Sequence, residues 1–166
     1  MSGGTRLVAE RPPSDERTVV QAVVELNRLR RSLDATARAS ADRLAEILFG
    51  TSRRLIAYGS LAPGGSNAAQ LDGLLGTWQG GWVTGTLAEA GWGAAIGYPA
   101  LRWLADAGQR VPAHLFTSPD LPEHWARLDE FEGDAYRRIF APIFDHDGLL
   151  AVGYLYESAA SAPAGD

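Results

Sequence analysis

Val19, Val23, Leu26, Leu33, Leu44 and Ile47 recur at helical spacings, with Arg30 interrupting an otherwise apolar face. The pattern predicts one long amphipathic helix, or two shorter ones broken between Ser32 and Ser40. It begins behind Pro12-Pro13, with Ser14 or Asp15 as cap, and stops at Gly50. From Arg54 onward the texture changes. Leu55-Ile56-Ala57-Tyr58 reads as a short buried strand, ended by Gly59 and a Gly/Pro/Ser/Asn loop through Asn67. Further strands are expected over Trp78 to Leu87, Val111 to Phe116, Arg138 to Phe144 and Leu149 to Tyr156, with a helix over Pro119 to Glu132. The last two strands form a hairpin around Asp145-His146-Asp147-Gly148. Strands outnumber helices and most connections look antiparallel, so the expected class is α+β, built around a strongly curved sheet or barrel. The division predicted is a helical extension over residues 1–53, a domain over 54–158 and a flexible tail over 159–166.

Charge follows the same division. Residues 1–54 hold ten arginines against seven acids; the remainder holds five against thirteen, giving the net charge of -5. The helical segment is expected either to fold back on its own domain or to serve as a homodimerisation or docking arm. Acids alternate with its arginines, which argues against nucleic acid as a partner. No apolar run reaches the roughly 18 residues that would cross a bilayer, and no apolar leader follows the amino terminus, so a cytoplasmic protein without membrane partners is expected.

Of the 166 residues none is cysteine or lysine, and the histidines are only His114, His124 and His146. This excludes thiolate nucleophiles, thiolate-held metals, Schiff bases and a phosphate-binding P-loop lysine. Carboxylates, hydroxyls, arginines and backbone amides remain. Asp145-His146-Asp147 has the makings of a metal triplet, but its place between two strands and before Gly148 reads better as a polar turn. Ser60 lacks the flanking pattern of a nucleophile elbow and has no histidine evidently placed as its base. The turn around it has another use: successive backbone N–H groups after a strand can hold a carboxylate or an oxyanion.

Glu132 is the sharpest candidate. At 100° per residue, Leu121, Trp125, Leu128 and Glu132 share one helical face, whereas Glu130 lies about 140° from Trp125. Burial, the helix C-terminus at Gly133 and the like charge of Asp129 would all raise the pKa of Glu132 toward the range useful for acid–base work. Pairing with Arg137 or Arg138 would restore an ordinary acid. Both outcomes are open at the level of sequence.

Tyr58-Gly59-Ser60-Leu61 with Pro63-Gly64-Gly65-Ser66-Asn67, then Gly97-Tyr98-Pro99-Ala100-Leu101, then Leu128-Asp129-Glu130-Phe131-Glu132-Gly133 with Tyr136-Arg137-Arg138 resemble the gamma-glutamylcyclotransferase-like (AIG2-like) family. The resemblance runs over about residues 54–157. It implies a small mixed β-barrel flanked by helices, without metal or cofactor. It implies a small-molecule gamma-glutamyl substrate, held by the backbone of Tyr58, Gly59, Ser60 and Leu61, with Tyr136 lining the pocket and Glu132 as catalytic acid–base. The implied reaction is closure of the substrate's α-amine on its γ-carbonyl, releasing 5-oxoproline and an amine. A non-catalytic binding module on the same fold is the alternative, and hydrolysis to glutamate a third reading. Two features depart from the family pattern: Ala68 follows Asn67 where histidine is frequent, and Val111 to Phe116 replaces a Val-x-Gly-x-Val-Tyr strand.

Overall fold

The computed structural model describes residues 15–88 and 100–159. Two helices come first, α1 (Glu16–Arg30) and α2 (Ala35–Phe49). Asp15 caps α1 by accepting from the Arg17 N–H, and Asp34 caps α2 by accepting from the Thr36 N–H. The break therefore falls at residues 31–34, and it resets the helical phase. Val20, Val23, Leu26 and Asn27 form the buried face of α1, but the buried residues of α2 are Ala41 and Ala45. Leu33, Leu44 and Ile47, which the periodicity placed on the same apolar face, are instead exposed, Leu33 completely so. Arg30, the interruption in that face, is nearly covered and pairs with Asp42 of α2 at 3.1 Å.

The remaining elements are β1 (Arg54–Ala57), β2 (Thr77–Ala88), β3 (Ala100–Trp103), β4 (Gln109–Thr117), a helix α3 (Trp125–Glu132), β5 (Tyr136–Asp145) and β6 (Gly148–Ser158). The sheet order is β3-β2-β4-β1-β6-β5, and a pairing of β2 with β5 closes five of the strands into a ring, with β3 attached outside it. The ring is mixed: β1 runs parallel to β6, with Leu55 opposite Tyr154 and Ile56 opposite Leu155, while the other pairings are antiparallel. The expected α+β barrel flanked by helices is thus present. α3 is shorter than its pattern predicts, because Pro122 sits in a separate 3₁₀ turn over Leu121–Glu123.

Ring closure is thin at one seam. β2 meets β5 only at Trp82 opposite Phe144. Beyond that point α1 covers the open edge of β5. The buried Asn27 side chain donates to the Phe140 carbonyl and accepts from the Phe140 N–H, both at 2.8 Å, as a neighbouring strand would. Phe140 also packs its ring against Tyr154, whose hydroxyl donates to Asp42 at 2.7 Å. The helices are thereby joined to the barrel through both backbone and side chains. No helix among the described residues is long and apolar enough to cross a membrane.

Candidate active site

β1 is a four-residue strand buried between β4 and β6, and its chain leaves the barrel at Tyr58. The following turn folds tightly on itself. Ala62 N–H donates to the Gly59 carbonyl at 3.0 Å, and Asn67 N–H returns to the Ser60 carbonyl at 2.9 Å. Gly65 makes that return feasible, since a Cβ there would lie 2.4 Å from the Ser60 carbonyl oxygen. The N–H groups of Gly59, Ser60 and Leu61 have no acceptor among the described residues. These are the donors that the turn presents to a ligand.

Across from the turn stands the C-terminal end of α3. Leu121, Trp125 and Leu128 are buried and fix the inward face, Glu130 is exposed, and Glu132 is half-buried. The helix closes at Gly133, whose φ of 70° suits glycine and whose N–H bonds to the Asp129 carbonyl at 3.0 Å. Burial first, and the neighbouring Asp129 second, push the Glu132 carboxyl up to about 7.

Neither arginine available to Glu132 in the sequence pairs with it. Adjacent residues of a strand face opposite ways, and Arg137 and Arg138 follow that rule. Arg137 donates to Glu157 at 2.8 Å, and Arg138 forms two bonds to Asp129, at 2.8 and 3.0 Å. Glu132 makes no hydrogen bond or ion pair with any described residue.

A cavity of about 510 Å³ lies between these parts. Tyr58, Gly59, Ser60, Leu61, Glu132 and Tyr136, the six residues singled out from sequence, all line it. Sequence reasoning did not assign Asn67, Phe131, Asp134 or Tyr156 to the lining, though they line it too. Tyr156 was accessible in principle: strand alternation puts it on the same side of β6 as Tyr154. No histidine, lysine or arginine is found among the described lining residues, so Ser60 has no imidazole base there.

The tyrosines are fixed donors. Tyr58 hydroxyl donates to the Tyr156 carbonyl at 2.6 Å and accepts from the Leu101 N–H, and burial holds its pKa well above the usual range. Tyr156 hydroxyl donates to Asp129 at 2.7 Å, and burial together with that carboxylate raises its pKa likewise.

The model of the family described as "Gamma-glutamyl cyclotransferase, AIG2-like" matches residues 55–166. The chain belongs to this family. Its match begins at β1 and takes in the turn, α3, β5 and β6, the elements that build the cavity. Among solved structures, an AIG2-like protein from Mus musculus is similar at 21% identity and a TM-score of 0.53, over 68% of this chain and 81% of that one. YkqA from Bacillus subtilis is similar at 17% identity and a TM-score of 0.50, over 66% of this chain and 36% of that one. At such identities the likeness is one of fold. No curated protein matches the chain.

The altered strand Val111 to Phe116 lies within β4, which contributes no described lining residue. Gly97-Tyr98-Pro99 lies outside the described residues, and its motif continues into β3 at Ala100 and Leu101. The Asp145-His146-Asp147 triplet forms the β5–β6 turn, where Asp147 N–H bonds to the Asp145 carboxylate at 2.8 Å and the His146 and Asp147 side chains face solvent. That is the bonding of a polar turn.

Proposed function

We propose that this chain is a gamma-glutamyl cyclotransferase that converts a gamma-glutamyl amine, peptide or gamma-glutamylated metabolite into 5-oxoproline and a free amine. The observation that supports it most is the state of Glu132. It is a carboxyl raised to about 7 that has no cationic partner among the described residues, in the same cavity as three backbone N–H groups without an acceptor among them.

The reaction asks for little else. In the substrate the α-amine is the nucleophile and the γ-carbonyl the electrophile, so the protein needs to fold the molecule into ring-closing geometry. For such intramolecular reactions effective molarities of about 10⁵ M and above are known. Glu132 takes a proton from the α-ammonium, and the freed nitrogen attacks the γ-carbon. The tetrahedral oxyanion, or the substrate's α-carboxylate, is held by N–H groups of Gly59, Ser60 and Leu61. As the bond to the leaving nitrogen breaks, Glu132 returns the proton to that nitrogen, and the ring nitrogen, left with two hydrogens and a positive charge by the attack, gives up its second proton to the departing amine, which leaves as its ammonium. A group titrating near 7 does both transfers at neutral pH, a contribution commonly of about 10²–10⁴-fold. The phenols of Tyr58 and Tyr156 are committed elsewhere and stay neutral, so they shape the cavity.

Incubation of the protein with a panel of gamma-glutamyl compounds, with 5-oxoproline, glutamate and free amine all measured, tests the reading. The expected result is 5-oxoproline and amine in equal amounts, with Glu132→Gln slower by at least about 10²-fold. Full activity in Glu132→Gln would sink the assignment. Glutamate as product would make the protein a hydrolase, and tight binding without any product would make it a binding module.

A further inference from the structure

Glu132 is surrounded by groups that each had the option of fixing its protonation. On its own helix stands Asp129, one turn back; in the next turn Asp134 lines the same cavity. Tyr136 approaches from β5, Tyr156 from β6 and Tyr58 from the end of β1, whereas Arg138 of β5, with Arg30 of α1 behind it, reaches Asp129. Arg138 is the cation bonded to Asp129, while Arg30, paired with Asp42, faces both of them from α1. Arg138 lies two residues from Tyr136, and its guanidinium is stacked between the rings of Trp125 and Tyr154, 4.7 and 4.3 Å from their centroids. Both oxygens of Asp129 are taken by its fork, and the Tyr156 hydroxyl adds a third bond to the same carboxylate.

We infer that Asp129 is a positioning residue for the acid–base step: by holding Arg138 and the Tyr156 hydroxyl, it keeps Glu132 without a cation or a donor, free to exchange a proton with the substrate. This rests on the reading of Glu132 as the acid–base group. The bond network is what carries it. A guanidinium released from Asp129 has a second carboxylate one helical turn further on, and a Glu132–Arg138 pair would be an ordinary ionised acid with no proton to give at neutral pH. The negative charge of Asp129 adds to the effect, since it disfavours a second charge at Glu132.

Removing either end of the Asp129–Arg138 pair therefore acts on Glu132 in opposite directions. Asp129→Asn removes the like charge and loosens the guanidinium, so the Glu132 midpoint falls. Arg138→Met removes the bonded cation and leaves Asp129 with the Tyr156 hydroxyl and the facing Arg30, so the midpoint rises. Loss of the like charge by itself lowers the midpoint to the same extent with or without Arg138, so the fall in Asp129→Asn should shrink in the Asp129→Asn/Arg138→Met double variant.

The test uses full-length protein carrying ¹³C-labelled glutamate, with the Glu132 carboxyl resonance identified by its loss in Glu132→Gln and titrated by NMR. The pH profile of kcat/KM is then recorded on the best substrate of the panel. The expected result is a fall of about one pH unit in Asp129→Asn, a tenfold change in the proton equilibrium, and a rise in Arg138→Met, each matched by the acid limb of the profile. An unmoved midpoint in Asp129→Asn, or a fall in Arg138→Met, overturns the inference. If Asp129→Asn does not fold, Arg138→Met decides alone. The NMR midpoint needs no turnover, so failure of the cyclotransferase reading is seen separately, in the absence of 5-oxoproline.

Discussion

Glu132 carries a stability penalty that follows from its burial. Its folded pKa, about 7, lies above the ordinary value of 4.5. Between those values the folded state holds more protons than the unfolded one, so stability falls as pH rises through the window, and the loss is complete above the folded pKa. Glu132→Gln should therefore be more stable than the parent at pH 8 by about 1–2 kcal/mol, a figure reduced for the group's partial exposure to solvent. The gain should vanish at pH 4, where the carboxyl is protonated in the folded protein. Urea denaturation at the two pH values measures it, and a variant no more stable than the parent at pH 8 would contradict the assignment of strain to this carboxyl. The inward aim of Glu132 was legible from helical phase alone, because Leu121, Trp125 and Leu128 mark the buried side. Its freedom from Arg137 and Arg138 was not. That depends on Glu157, distant in sequence, and on Asp129, which lies on the same helix but whose bond to Arg138 appears only when β5 is docked.

At the scale of elements, the least visible device is the joint between α1 and β5. Asn27 lies at a helical position four residues after Val23, and a polar residue there reads as a break in the apolar face. Its full burial makes sense only once β5 presents an unpaired N–H and C=O at Phe140, an edge that β2 has left. Asn27→Leu keeps the volume and removes both bonds, leaving two buried backbone groups without partners. A loss of about 2–3 kcal/mol is expected, read as a lower urea midpoint with unchanged slope. A loss below about 0.5 kcal/mol would mean that water reaches the Phe140 backbone. The same logic explains the misread face of α2. Periodicity carries across a chain reversal only if the phase does, and Asp34 starts a new helix with a new phase, burying small Ala41 and Ala45 against α1 and the barrel. The strands were more legible, since β1, β4, β5 and β6 each declare themselves by short apolar runs. The closure of the ring by a single β2–β5 ladder pair, Trp82 opposite Phe144, has no local signature.

At the scale of the whole molecule a polar seam joins the two helices to the acidic barrel. Glu157 on β6 is completely buried. It receives two bonds from Arg31 after α1, one from Arg137 of β5 and one from the Trp103 N–H of β3. Next to it Tyr156 carries the carbonyl that fixes Tyr58 at the cavity. On the other side of the sheet Tyr154 reaches Asp42 of α2. Removal of residues 1–50 would strip the Asn27 bonds from β5, withdraw one of the two guanidinium partners of Glu157 and leave Tyr154 without its acceptor. A buried carboxylate that loses a cationic partner typically costs about 3–5 kcal/mol, and the Phe140 edge adds its own share. Together these approach the 5–15 kcal/mol that holds an average domain folded. The truncated chain is therefore expected to show no cooperative melting transition by circular dichroism, with 5-oxoproline formation lost as well. A truncated chain that melts within about 5 °C of the parent and keeps its activity would show that the barrel closes unaided. In that event the role of the two helices would have to be sought in the exposed Leu44, Ile47 and Leu48 of α2 and in Leu33 of the turn before it.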